Sequence, residues 1–347
     1  MIIMEKYTIF WFRRDLRLED NKGLYEALKG PNKVIPIFIY DTEITDKLQK
    51  DDHRLTFIQK ALGGINNAMK RNRCTTGIYR GTPKAIFKEI IRSFPVEKVI
   101  TNHDYERYAI ERDEEIKTLL EAEEIDFETH KDQVIFEKSE VVKDDTNPYV
   151  VYTPYSRKWM AKFSLEGIEN FPSEDHLENL YNDQPLPQIS LEEMGFNISK
   201  LVPKDFMFDE NLIDEYEATR NFPAHDATSR LGVYIRFGTQ SIRKLIARSA
   251  QRENPTFLKE LIWREFFMQI LWHFPHTESR CFKKQYERIE YRNNEKEFEK
   301  WCEGKTGYPL VDAGMRELNH TGFMHNRVRM LAVSYTHLRA HETDSYL

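Results

Sequence analysis

The stretch Phe257-Leu-Lys-Glu-Leu-Ile-Trp-Arg-Glu-Phe-Phe-Met-Gln-Ile-Leu-Trp-His-Phe-Pro275 decides how the rest of the chain is read. Leu258, Leu261, Ile262, Phe266, Ile270 and Leu271 surround it with apolar side chains, and no Gly or Pro interrupts it. Such a pattern predicts a helix over Thr256 to Trp272 that is buried among other helices. Four of its residues do not suit that burial: Glu260, Trp263, Arg264 and Glu265. Glu260, Trp263, Arg264 and Phe267 share one helical face at i, i+3, i+4 and i+7. That face combines a carboxylate acceptor, a flat π surface and a guanidinium fork. It suits the wall of a pocket for a planar, hydrogen-bonding ligand such as a nucleobase or flavin. An internal Glu260–Arg264 pair beside a core Trp would leave the same trace.

Working outward, the first 130 residues alternate short apolar runs with amphipathic segments. Tyr7–Phe12, Val34–Tyr40, Thr76–Tyr79 and Val96–Thr101 read as buried strands, and Asp126–Thr129 opens a fifth. Between them lie helix signals: Asp20 or Asn21 as a cap, Leu55 to Met69 at helical spacing, Thr82-Pro83 as a cap and first residue, and Tyr105 to Glu124. This alternation predicts an α/β N-terminal domain, a doubly wound parallel sheet of Rossmann-like type. The Gly-x-Gly-x-x-Gly dinucleotide fingerprint is missing from it. From Phe136 to Pro203 the periodicity fades, which predicts a surface connector. Beyond Phe206 the pattern is helical: Leu212–Arg220, Ser241–Ala250, Glu295–Cys302 and Ala313–Leu318 join the central helix. The domains expected are 1–132, a connector 133–204, and an all-α C-terminal domain 205–334.

Composition narrows the function. The net charge of −6 conceals 20 basic against 14 acidic residues between Tyr216 and Ser334, and 31 against 43 elsewhere. A basic helical half suggests a polyanionic partner. The cysteines Cys74, Cys281 and Cys302 show no metal or disulfide spacing, which fits a reducing cytoplasm and no metal site. No signal peptide or membrane-length apolar run is seen, so no membrane partner is expected. There is no Gly-x-Ser-x-Gly elbow and no His-Glu-x-x-His zinc motif. Two further clusters carry polar groups. Thr228-Ser229-Arg230-Leu231-Gly232 could cradle a diphosphate or serve as a simple helix cap. In Met324-His325-Asn326-Arg327-Val328-Arg329-Met330, Asn326 can both donate to and accept from a pyrimidine edge, and the two arginines point to different sides.

Four blocks then become specific in combination: WFRRDLRLEDN after the first strand, FPAHDATSRLGVYIRFG, ELIWREFF, and EGKTGYPLVDAGMRELNHTGFMHNRVRM. In this order and spacing the chain resembles the DNA photolyase/cryptochrome family from Tyr7 to about Ser334. Asn326 within MHNR is similar to the class I cyclobutane pyrimidine dimer photolyases. The resemblance implies light-driven repair of pyrimidine dimers in UV-damaged DNA by electron transfer from excited, fully reduced FAD to a flipped-out dimer. The enzyme would be a deoxyribodipyrimidine photo-lyase acting as a monomer without an obligate protein partner. Carried over residue by residue, Glu260, Trp263, Asn326 and Met330 belong to the lesion pocket. Tyr216, Thr228, Ser229, Arg230, Leu231, Gly232, Phe257, Arg264 and Arg329 correspond to flavin contacts. Arg220 and Arg327, with Glu260, Trp263 and Asn326, face DNA. Two other readings remain open: a cryptochrome-like FAD photoreceptor without repair activity, and an inactive fragment.

The resemblance also marks departures. Tyr108 and Ala109 stand where folate-binding members have Asn and Glu, which argues against methenyltetrahydrofolate and leaves the antenna chromophore unidentified. Tyr291 takes the outermost position of the photoreduction tryptophan chain. After Ser334 the family continues with a leucine-rich helix and a segment that completes the flavin pocket. Here Tyr335 to Leu347 is polar and lacks the apolar spacing, so the resemblance implies a truncation there and a tail from outside the family.

Overall fold

The structure, a computed structural model, describes residues 5–201, 203–289 and 294–338, with side chains through 335. Tyr291 and the segment 339–347 lie outside the described residues. Five apolar runs form β1 (Tyr7–Phe12), β2 (Lys33–Asp41), β3 (Gly77–Gly81), β4 (Val96–Asn102) and β5 (Asp126–His130). Every pairing is parallel and the order is β3-β2-β1-β4-β5. The connections hold α1 (Lys22–Lys29), the single turn α2 (Thr42–Thr45), α3 (His53–Met69), α4 (Pro83–Ser93) and α5 (Arg107–Glu121). The expected caps are in place. The Asn21 side chain accepts from the Leu24 amide at 3.2 Å, and Thr82 from Ala85 at 3.4 Å ahead of Pro83.

Strand alternation splits the core between the two faces of the sheet. Ile9, Trp11, Ile35 and Ile37 pack with Phe87 and Ile90 of α4 and Ile116 and Leu120 of α5. Phe10, Phe12, Val34 and Phe38 pack on the other face with Leu24, Leu28, Leu62 and Met69. Both faces are covered, so the central strands read as unbroken apolar runs.

The segment expected to be a surface connector contains a regular helix, α6 (Tyr152–Glu166), and a 3-10 stretch, Ser173–Asn179. Tyr155 and Trp159, at i and i+4, are fully buried on it. Pro154 sits in the first turn, where an N–H would have no intrahelical acceptor, so it masked the helix without breaking it.

The helical half supplies α7 (Glu210–Thr219), α8 (Gly232–Arg236), α9 (Ile242–Ala250), α10 (Thr256–His273), α11 (Glu295–Cys302), α12 (Pro309–Thr321) and α13 (Asn326–Leu338). Contacts group the chain into two units. The first holds the described residues through Ser199 together with Tyr234–Gln251 and Leu258–Pro275; the second holds Lys200–Val233, Arg252–Phe257 and the described residues from His276 onward. α9 and nearly all of α10 therefore belong to the sheet-bearing unit.

A buried ion network ties α9 into that unit. Arg17 donates to both oxygens of Asp132 at 2.8 Å, and Arg243 reaches Asp132 at 2.8 Å and Asp20 at 3.0 Å. Burial alone would raise the Asp132 carboxyl, but the two guanidinium groups overrule it and hold it at about 2. Arg17 and Asp20 of the WFRRDLRLEDN block are thus structural. Gly238 closes beside that block at φ +64, where an added Cβ would collide with the Arg14 carbonyl.

In the second unit, Val311, Met315, Met324, Val328, Ala332 and Tyr335 form a small core. The Trp301 indole donates to the Ala332 carbonyl at 2.9 Å. α13 runs through Leu338 and Tyr335 packs on Tyr308, so the first residues expected in the tail are helical.

Candidate functional site

Within the first unit, α10 presents two kinds of polar group. Glu265 is 1% exposed, and its carboxylate accepts from the amides of Ile135 (2.7 Å) and Phe136 (3.1 Å), the Trp159 indole (2.5 Å) and the Tyr155 hydroxyl (3.3 Å). Burial pushes this carboxyl up to about 7 against the pull of those donors. Arg264 donates to the Gln133 carbonyl at 2.7 Å, and burial next to Arg14 lowers its guanidinium to about 10. Arg264 and Glu265 therefore bind α10 to the loop 133–136.

Glu260 and Trp263 are only half-buried. The Trp263 indole lies flat on the Tyr152 ring, with centroids 3.6 Å apart and planes 8° from parallel. Phe267 flanks the same indole at 5.5 Å and 25°. The expected shared face of Trp263 and Phe267 is present. Tyr152 was missed from sequence, although Tyr152, Tyr155 and Trp159 at i, i+3 and i+7 give an aromatic stripe at helical spacing.

Within the second unit, Thr228, Ser229 and Arg230 are half-buried in the loop ahead of α8, and Leu231 is buried. Met207 donates its amide to the Ser229 carbonyl at 2.9 Å, which fixes the loop from behind. Arg230 adopts a left-handed φ of +55, a conformation costly for a non-glycine residue and found at ligand clamps. Its guanidinium bonds Asp226 at 2.5 Å and lies 5.5 Å from the Phe323 ring centroid. Its Nε is buried and has no hydrogen-bond partner. A Cβ built on Gly232 would meet no atom within 4 Å, so this glycine answers no packing demand. An orphaned cationic donor beside two hydroxyl residues and an open backbone fits the diphosphate of a dinucleotide such as FAD.

Tyr216 and the buried Phe257 meet edge-to-face at 5.0 Å, and the Arg220 guanidinium lies 5.5 Å from the Tyr216 ring centroid. At the start of α13, Asn326, Arg329 and Met330 are exposed. Arg327 is half-buried and donates to Asn221 Oδ1 at 2.8 Å and to Met330 Sδ at 3.7 Å. The two arginines thus sit in different environments, as their spacing requires. His325 is buried beneath them; desolvation lowers its pKa while a bond to the Arg220 backbone opposes the shift.

The carboxyl ends of β1 and β4 form the switch point where doubly wound sheets bind ligands. Here Arg13 pairs with Asp113 and the Asn102 carbonyl, and Arg13 and Arg112 lie 5.0 and 4.8 Å from the Trp11 ring centroid. Nearby, Tyr108 donates to Asp41, and Ala109 is buried. Burial first, then Asp41, raises the Tyr108 hydroxyl. Among the described residues no grouping of three or more His, Cys, Asp or Glu could hold a metal ion, and no helix is long and apolar enough to cross a membrane.

Residues 8–175 match the DNA photolyase family model and residues 257–340 that of the FAD binding domain of DNA photolyase. The chain belongs to the DNA photolyase family and contains its FAD-binding domain. It is 31% identical to a deoxyribodipyrimidine photo-lyase of Halobacterium salinarum, over 94% of this chain and 74% of that protein. A class III photolyase from Agrobacterium tumefaciens superposes with a TM-score of 0.81 at 26% identity, covering 96% of this chain and 73% of that one. An archaeal photolyase from Sulfolobus tokodaii, solved with two FAD molecules, gives 0.77 at 27% identity, covering 95% and 74%.

Proposed function

We propose that the chain is a cyclobutane pyrimidine dimer photolyase of the class I kind, repairing UV-damaged DNA in light. Reduced FAD, when bound, supplies the photoexcited electron that splits the cyclobutane ring. The protein's work is to bind, orient and exclude water. Thr228, Ser229, Arg230, Leu231 and Gly232 hold the diphosphate, and Tyr216, Phe257 and Arg329 add flavin contacts, whereas Arg264, expected among them, is held by the Gln133 carbonyl. On α10, Glu260 accepts the imide N–H of a flipped-out thymine, and Trp263 stacks on the base. Base–aromatic stacking of this kind is worth about 1–3 kcal/mol. On α13, Asn326 and Met330 are the residues proposed to meet a pyrimidine edge. Arg220 and Arg327 bind backbone phosphates and position the duplex. The departures at Tyr108 and Ala109 argue against methenyltetrahydrofolate and leave a deazaflavin, another chromophore or none at the antenna position.

The observation that carries this reading is the pair Glu260 and Trp263. They are less than one turn apart and half-exposed on a helix whose neighbouring polar residues, Arg264 and Glu265, are committed to structure. The test is to load the purified full chain with FAD, reduce it, and count dimers in irradiated DNA after light and after dark. Light-dependent loss of dimers is expected. Flavin binding with an unchanged dimer count would transfer the chain to the photoreceptor reading, and failure to take up flavin would support the inactive one.

A further inference from the structure

Tyr152 is the first residue of α6, a helix that no motif in the sequence pointed to. Its ring covers the Trp263 indole in near-parallel contact at 3.6 Å. Its hydroxyl donates at 2.7 Å to the carbonyl of Lys259, one turn before Trp263 on α10. The same ring meets Phe266 edge-on at 5.9 Å. Farther along α6, Tyr155 and Trp159 both bond to Glu265. The tyrosine is therefore held at both ends, by its hydroxyl on the α10 backbone and by its helix on the Glu265 carboxylate.

We infer that Tyr152 is a positioning residue for lesion recognition: it backs the Trp263 indole, fixes its rotamer and, with Phe267 flanking the same ring at 5.5 Å, limits the aromatic surface open to an incoming base. The inference rests on the proposed lesion role of Trp263. A half-exposed Trp on a helix samples several rotamers, and freezing one before binding removes part of the ordering cost of recognition. A near-parallel ring itself anchored by a hydrogen bond to the Lys259 carbonyl holds it there. The covering also selects: a flat pyrimidine can stack only on the part of the indole that Tyr152 and Phe267 leave open.

The test compares Tyr152→Leu, Tyr152→Phe, Trp263→Ala and the double variant Tyr152→Leu/Trp263→Ala in the full chain. The probes are a duplex carrying one thymine dimer and the same duplex undamaged, with binding measured in the dark. Tyr152→Leu should weaken binding to the dimer duplex about three- to tenfold, which corresponds to the worth of one aromatic stack. It should leave the undamaged duplex within twofold and remove the near-UV circular dichroism of the stacked indole. Tyr152→Phe should keep both the dichroism and the affinity. In the double variant the loss should equal that of Trp263→Ala alone, because the tyrosine acts only through the indole. Additive losses, or a Leu variant that binds dimer DNA normally, would overturn the inference while leaving the role of Trp263 intact. A Trp263→Ala variant with full dimer affinity would instead remove the reading on which it rests. If the Leu variant does not fold, the Phe variant still decides: normal affinity together with a lost dichroic band refutes the backing role.

Discussion

Replacing Glu265 by Gln gives the sharpest test of how α10 is held. In the native protein this carboxyl is fully buried among four donors: two loop amides, an indole and a phenol. Burial sets its pKa at about 7 in the folded chain against 4.5 for the ordinary group. Below pH 4.5 the folded and unfolded states both keep the proton, and the full contribution to stability is present. Between pH 4.5 and 7 the unfolded chain releases its proton first, so stability falls as pH rises; above 7 it levels off. At 1.36 kcal/mol per pH unit the change amounts to about 3 kcal/mol. Glutamine keeps the length and one acceptor oxygen but does not titrate. Urea unfolding of both proteins, followed by tryptophan fluorescence from pH 4.5 to 8, isolates the effect, because every other titrating group cancels in the difference. Wild type should lose about 3 kcal/mol relative to the Gln variant over that interval. A pH-independent gap would show that the carboxyl is not shifted; a gap moving the other way would mean that the donors, and not burial, control it. Glu265→Ala should be harsher, about 3–5 kcal/mol at any pH, since it strands four buried donors.

Other expectations follow from single contacts. Asp132→Asn leaves Arg17 and Arg243 facing a neutral group and should cost about 3–5 kcal/mol near neutrality; because the wild-type carboxyl is held at about 2, this gap should shrink as pH falls from 4 towards 2 in acid-unfolding curves. Arg230→Gln should lower the flavin bound per chain without changing the far-UV circular dichroism, and an unchanged flavin-to-protein ratio would dismiss the orphaned Nε as a diphosphate donor. Arg327→Ala should weaken binding to damaged and undamaged DNA alike and reduce the salt slope by about one. A loss confined to damaged DNA would place that side chain on the lesion.

The parts of the fold legible in the sequence were those written in local periodicity. β1, β2 and β4 are buried on both faces and read as apolar runs, while Thr82-Pro83 and the Asn21 cap marked helix starts that the backbone adopts. The parts that stayed hidden depend on distant partners. α6 was invisible because its buried residues are large aromatics beside a proline, and their burial makes sense only once Glu265, more than a hundred positions away, lies against them. The ends of α12 were clipped because they are set by backbone signals outside its apolar repeat of Val311, Met315 and Leu318: Pro309 starts the helix and Gly322 closes it at φ +71. At the candidate site, the residue types on α10 suggested a ligand-facing wall. The sequence could not say which of its charged residues had been spent on structure.

That division has a physical cause. A helix apolar around most of its circumference gains burial almost equally in any rotation, because the hydrophobic effect carries no direction. Successive residues are about 100° apart, so one step of rotation would exchange Trp263 with Arg264 and hide the indole. The rotation of α10 has to be set by directional bonds, and the chain supplies three on different sides: Arg264 to the Gln133 carbonyl, Glu265 to the 135–136 amides, and Tyr152 to the Lys259 carbonyl. Each has its partner in the segment 133–152, which explains why so polar a stretch is retained against so apolar a helix. The buried charges cost solvation and contribute little net stability. Their effect is to aim Glu260 and Trp263, and loosening any one pin should blur that aim before it unfolds the chain.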